Sequence, residues 1–203
     1  MKFSFTHNTL TFEGDDILTD SITSFLSTYS FSEVNSKTTP GFFQVKVGNI
    51  KEIVLLSEYM KSQKYLLDYT SAMLLFHHTN ELLVKLKQVG LYIPVFHIND
   101  FVVLSDGEKI WFVYVGLSAK TIFRAIDGDI IVPLNTDDVG AFFSPELGIK
   151  RLPLKVADPY GYSVYAAGLL VKTCFCGDVD GIYATKLYWA LMRAITERKY
   201  LII

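Results

Sequence analysis

The chain has 203 residues, half of them hydrophobic and 20% charged, with 19 basic and 21 acidic side chains for a formal charge of -2. Such a balance offers no basic stripe for a phosphate backbone, so nucleic acid is not the expected partner. The mean hydropathy of +0.29 is high for a free-standing globular chain. Yet the longest weakly polar run, Tyr162 to Cys176 broken by Lys172, falls short of the roughly 18–20 residues a spanning helix needs. We therefore assign the excess to core plus interaction surface, as expected of a subunit in an assembly. The opening MKFSFTHNTL lacks the apolar stretch of a secretory signal. Cys174 and Cys176, one residue apart, suit neither a disulfide nor a zinc site. Two buried thiols in a reducing, cytoplasmic compartment are expected.

In chain order, KFSFTHNTLTF alternates apolar and polar residues around His7-Asn8, predicting a hairpin. Asp15 and Asp16 precede Ile17, Leu18, Ile22, Phe25 and Leu26 at helical spacing, predicting a helix that ends near Tyr29–Phe31. Ser32 to Gly41 has loop composition. FFQVKV and EIVLLSEYM predict two strands joined at Gly48-Asn49. From Ser62 the pattern turns helical, with Leu75, Leu82, Leu86 and Val89 on one face and Gly90 as the stop. Val102–Leu104 and Ile110–Val115 flank Ser-Asp-Gly-Glu as a second hairpin. Ala119 to Phe142 reads as a long, partly ordered loop, and two helices follow, over Tyr160–Phe175 and Ile182–Thr196.

Several strings in this order resemble protein kinase landmarks. LLVKLKQVGLYIPVFHINDFVVL is similar to the end of the long αE helix running into the catalytic loop, with His97 at the histidine of a D-L-H-P-x-N-I-L loop. KIWFVYVGLS resembles the strand and D-F-G-L-S turn, FFSPEL the A-P-E landmark, and DPYGYSVYAAGLL the αF opening, where Asp158 and Tyr160 match while Pro159, Gly161 and Ser163 depart. EIVLLSEYM is similar to a fifth strand entering the hinge at Glu58-Tyr59-Met60. The resemblance runs from Ile53 to Ile195. It implies an α+β, kinase-like bilobal fold, with residues 1–60 as a reduced N-lobe and 61–203 as a helical C-lobe.

The same alignment implies that the chemistry is gone. Phosphoryl transfer needs a carboxylate beside the substrate hydroxyl and acidic ligands for magnesium. Val95 stands at the base position, and Tyr114 replaces the metal-binding aspartate with a phenol that is neutral at pH 7. Asp100 falls at the metal-binding asparagine. One carboxylate makes a poor magnesium site, and we expect a hydrogen-bonded or solvated aspartate where a strand starts. Moving the register by one, onto Asn99, restores no base. Gly14, Gly41 and Gly48 are too far apart for a phosphate-cradling loop. Lys46 follows the first helix, whereas the family's lysine precedes it, so it is expected to be an exposed strand lysine. What the resemblance retains is scaffolding: Glu146, with Arg198 or, second in line, Arg193 as partner, and Asp158 supporting the catalytic loop from the αF N-terminus.

His77 and His78 diverge on a helix, and we read them as a structural or solvent-exposed pair without an acidic partner one turn on. His97 has no nucleophile elbow to serve and is expected to be buried, bracing its loop. Trp111-Phe112, Phe142-Phe143 and Tyr188-Trp189 are expected in the core, with partner anchoring as the alternative. The expected function is a catalytically inactive, ATP-independent pseudokinase scaffold or allosteric subunit that binds protein, with no catalytic, cofactor or metal residues. The alternative is an atypical kinase or nucleotide-binding switch recruiting Asp100, Asp106 or Glu58.

Overall fold

The computed structural model describes residues 2–6, 9–13, 32–33, 42–47, 50–64, 66–116, 123–124, 130–132, 140–148, 154–156, 158–175 and 178–196. Strands β1 (Lys2–Thr6) and β2 (Thr9–Glu13) form the hairpin that their alternation predicts, with Lys2 opposite Glu13 and Thr6 opposite Thr9. β3 (Ser32–Glu33) and β4 (Phe42–Val47) complete a four-stranded antiparallel sheet in the order β1-β2-β4-β3. Ser32–Glu33 has loop composition and is nonetheless strand. Its pairing is two residues long, against Lys46 and Val47, too short to leave a pattern. The helix expected from Asp15 lies outside the described residues.

The strand expected over EIVLLSEYM is only partly formed. β5 (Glu52–Leu55) pairs antiparallel with β8 (Phe101–Ser105), and the chain turns helical as α1 (Leu56–Ser62). Glu58, Tyr59 and Met60, read as strand and hinge, therefore sit on a helix. The physical reason lies in burial and propensity. Leu56 and Met60 are buried at i, i+4 spacing, and Leu, Glu, Met and Lys are strong helix formers. An apolar run this short does not by itself separate strand from helix. β9 (Ile110–Tyr114) completes the three-stranded sheet β5-β8-β9, closed at its turn by the Asp106 carboxylate, which accepts the Glu108 and Lys109 N–H groups at 2.8 and 2.7 Å.

Helix α2 (Tyr69–Gln88) starts where the Asp68 carboxylate accepts the Ser71 N–H at 2.7 Å. Leu75, Leu82 and Leu86 form its buried stripe, each worth about 1.5–3 kcal/mol of transfer free energy. Val89, expected on that face, follows the last turn and is 57% exposed. Gly90 then reverses the chain at φ +71°, a left-handed value suited to glycine. Three short antiparallel pairs follow: β6 (Leu91–Tyr92) with β10 (Phe123–Arg124), β7 (Val95–His97) with β12 (Ala141–Phe143), and β11 (Ile130–Val132) with β13 (Leu154–Val156). The segment read as loop from Ala119 to Phe142 thus contributes strands. Composition hides them because each is only two or three residues long.

The remaining helices are α3 (Pro145–Gly148), α4 (Pro159–Cys174) and α5 (Lys186–Thr196). α4 packs against α2 and α5. At Gly168 a Cβ would meet Ala194 Cβ at 2.7 Å, so the glycine is what lets α5 approach. Lys87 lies 4.2 Å above the Tyr160 ring, joining α2 to α4. Ile50, Leu56 and Met60 belong to the same core as Phe101–Leu104, Phe112–Val115 and Leu170, so residues on both sides of position 60 share one core. The chain is an α+β protein with antiparallel sheets. No helix among the described residues is long and apolar enough to cross a membrane.

Candidate functional site

Of the strings that carry the kinase resemblance, β7 and β12 pack against α4 and β9 packs against α2. After Gly90 the chain is fixed first at Ile93, whose N–H donates to the Ser163 hydroxyl on α4 at 3.0 Å. That hydroxyl in turn donates to the Pro159 carbonyl at 2.9 Å, so it is satisfied on both sides. In the sequence Ser163 stands out only as a departure from the αF pattern. Its partner is 70 positions away, and no local signal marks such a contact.

Val95 lies in β7, half-buried and opposite Phe143. An aliphatic side chain on a paired strand neither accepts a proton nor holds a ligand. His97 begins a 3-10 turn, Ile98–Asp100, and its N–H donates to Asp100 Oδ2 at 3.1 Å. The His97 side chain closes the reciprocal half of this capping box. It braces the turn as expected, but half-buried rather than buried.

Asp100 is fully enclosed, at 0% exposure. Of the two states expected for it, hydrogen-bonded or solvated, it adopts the first. Its carbonyl accepts the Val115 N–H at 2.6 Å and the Gly116 N–H at 3.3 Å. The Ile98–Asp100 turn and the Tyr114–Gly116 turn are therefore neighbours, held through backbone. Gly116, at φ +57°, makes that turn possible. Tyr114, which the resemblance sets at the metal-aspartate position, is 2% exposed. It packs edge-on against Phe96 and Phe101 at 5.7 and 5.4 Å between ring centres.

The other carboxylates considered for a rewired site are dispersed. Asp106 sits beyond the far end of β8 from Asp100, partly exposed, with its pKa lowered chiefly by the Lys109 and Glu108 N–H groups. Glu58 is exposed on α1. Among the described residues no three His, Cys, Asp or Glu side chains converge to hold a metal. Lys46 pairs through its backbone with Thr9 and Glu33 in the N-terminal sheet.

Of the scaffolding residues, Asp158 caps α4 by accepting the Gly161 N–H at 3.0 Å. Arg193 is exposed and in no ion pair among the described residues. Arg198 and the Glu146 side chain lie outside what is described. Leu147 and Ser144 anchor the Pro-Glu segment, buried and joined by an N–H···O=C bond of 2.9 Å.

The histidine pair divides its roles. His77 is exposed and lies 3.5 Å from Glu81, an acidic partner one turn on that the sequence reading overlooked. His78 is 5% exposed, and its Nδ1 accepts the Phe112 N–H of β9 at 3.1 Å. It saturates a main-chain donor on the outer edge of the sheet. Burial above all, assisted by His77 and opposed by Glu81, lowers its pKa from 6.5 to about 4. Cys174 is buried as expected, its thiol pushed up to about 12 by burial. Cys176 lies outside the described residues.

No protein-family model matches the chain, and none of the curated proteins compared with it matches either.

Proposed function

We propose that this chain is a non-catalytic, protein-binding module built on a degenerate kinase-like scaffold, working as a scaffold or allosteric subunit of an assembly. The observation that carries the reading is Tyr114. Where the resemblance requires a metal-binding carboxylate at the mouth of a cleft, a phenol is packed into the core against Phe96 and Phe101. Support also comes from the order of elements: long helix, short strand, turn, hairpin, Pro-Glu segment, helix capped by Asp158. The helical Glu58–Met60 segment lends the hinge comparison no support.

A thermal-shift titration with ATP and Mg²⁺ or Mn²⁺ tests the proposal. A ligand at about 100 times its Kd stabilises the native state by about 2.7 kcal/mol, a shift easily read. We expect none. A metal-dependent rise in Tm would replace the scaffold reading with a nucleotide-binding switch, and turnover of ATP would make it an atypical kinase.

A further inference from the structure

The apolar stripe of α5, carried by Leu187, Leu191 and Ala194, is buried against the rest of the molecule. Its outward face carries Lys186, Trp189 and Arg193, all exposed, at i, i+3 and i+7. The turn just before it adds Tyr183, 67% exposed, beside Trp189 at 49%. Tyr188 lies between them, 5.0 Å from Tyr183 and 5.1 Å from Trp189, and closes a continuous three-ring surface.

This surface is held rigidly. The Thr185 hydroxyl accepts the Tyr188 N–H at 3.3 Å and donates to the Ile182 carbonyl at 2.7 Å. Ala184 adopts φ +64°, which turns the chain sharply between Tyr183 and the helix. A backbone fixed in advance at this turn reduces the ordering cost of binding.

Its polar chemistry is one-sided. An indole N–H, an ammonium and a guanidinium only donate, and a phenol hydroxyl can donate as well. None of these five side chains takes part in a hydrogen bond or ion pair among the described residues. A donor-rich, cationic rim around an aromatic centre is complementary to carboxylates placed around an apolar side chain.

We infer that Tyr183, Tyr188 and Trp189, bracketed by Lys186 and Arg193, form the docking surface for an acidic segment of a partner protein. The two cations are seven helical residues apart, about 10.5 Å along the axis. The segment they fit carries two carboxylates at that separation with an apolar residue midway. A planar anionic lipid surface would also meet Asp178 and Asp180, exposed in the turn beside Tyr183, whereas a segment laid from Lys186 to Arg193 runs along the helix away from that turn. A second copy docking through a twofold axis would set Lys186 and Arg193 against their own kind. The inference rests on the reading of the chain as a partner-binding module and supplies that partner's chemistry; it does not depend on the kinase likeness.

The test is selection of a random displayed library of peptides about 14 residues long on the full chain, followed by affinity measurement on Lys186→Glu/Arg193→Glu and on Trp189→Ala. These positions are exposed, and unchanged Tm values would certify the variants as folded. The expected result is a pool enriched in Asp and Glu around an apolar residue, with binding weakened about tenfold or more by either variant and by added salt. Enrichment of basic or uncharged peptides, no enrichment, or acidic peptides that bind the variants equally well would overturn it. So would binding to phosphatidylserine-containing vesicles that the variants abolish while peptides fail, or a homodimer that they dissociate. Peptides indifferent to the variants sink this surface and leave the scaffold reading standing; an ATP-and-metal Tm shift does the reverse.

Discussion

Acidification should strike this fold first at His78. The Nδ1 lone pair accepts the Phe112 N–H, so the native state requires the neutral ring with its proton on Nε2. In the unfolded chain the ring takes a proton near pH 6.5, and in the native state only near pH 4. Between those values the unfolded state binds more protons than the native state, so stability falls as pH falls. It is complete above about pH 6.5 and declines by up to about 1.4 kcal/mol per pH unit, reaching a total loss of about 3 kcal/mol near pH 4. For a domain stabilised by about 5–15 kcal/mol that is a large share. The assay is urea unfolding followed by far-UV circular dichroism at half-unit steps from pH 7.5 to 4, on the native sequence and on His78→Gln, whose amide oxygen can still accept the N–H. Carboxylates contribute equally to both curves, so their difference isolates the imidazole. We expect the native sequence to lose about 3 kcal/mol more than the variant over that range. Parallel curves would refute the claim that a neutral, enclosed His78 holds β9.

Three further substitutions probe the same framework by urea unfolding. Gly168→Ala should destabilise by ~1–2 kcal/mol, because crowding against Ala194 exceeds the roughly 1 kcal/mol of helix propensity gained; Ala194→Gly should partly restore it, and a stabilised single variant would show that the α4–α5 approach is looser than described. Ser163→Ala should cost about 1–3 kcal/mol by orphaning the buried Ile93 N–H, whereas Ser163→Thr, which keeps the hydroxyl, should cost less; equal losses would point to volume instead. Tyr114→Asp, which writes the missing carboxylate back, should destabilise by more than about 3 kcal/mol, since it puts a charge among Phe96 and Phe101; a stable variant with a new Mg²⁺-dependent Tm shift would overturn the placement of this position in the core.

How much of this was legible depended on the range of the interaction. The β1–β2 and β8–β9 hairpins, and the Leu75, Leu82, Leu86 stripe of α2, followed from periodicity plus turn and stop residues, because those signals are local. α1 was misread because the apolar run from Ile53 to Leu56 satisfies both periods until burial decides. The Glu81 partner of His77 was local, and was simply missed. His78 with Phe112, 34 positions apart, and Ser163 with Ile93 had no sequence signature at all. Val95 and Tyr114 were singled out by the resemblance alone. That Tyr114 is enclosed by Phe96 and Phe101 is a tertiary fact that no motif encodes.

The use made of polar groups between Ile93 and Gly116 supports the proposed non-catalytic reading. A catalytic site directs its polar atoms at a reacting group and leaves them incompletely satisfied until that group arrives. Between Ile93 and Gly116 the opposite holds. Ser163, His78 and the Asp100 carboxylate each engage a main-chain N–H, and the Asp100 carbonyl engages two more. These contacts fix one stretch of backbone from three sides. On α5, Lys186, Trp189 and Arg193 face solvent with no such engagement among the described residues. Polar groups committed to main-chain contacts in this way, beside an exposed aromatic surface on α5, fit the proposed protein-binding role better than a site awaiting a substrate.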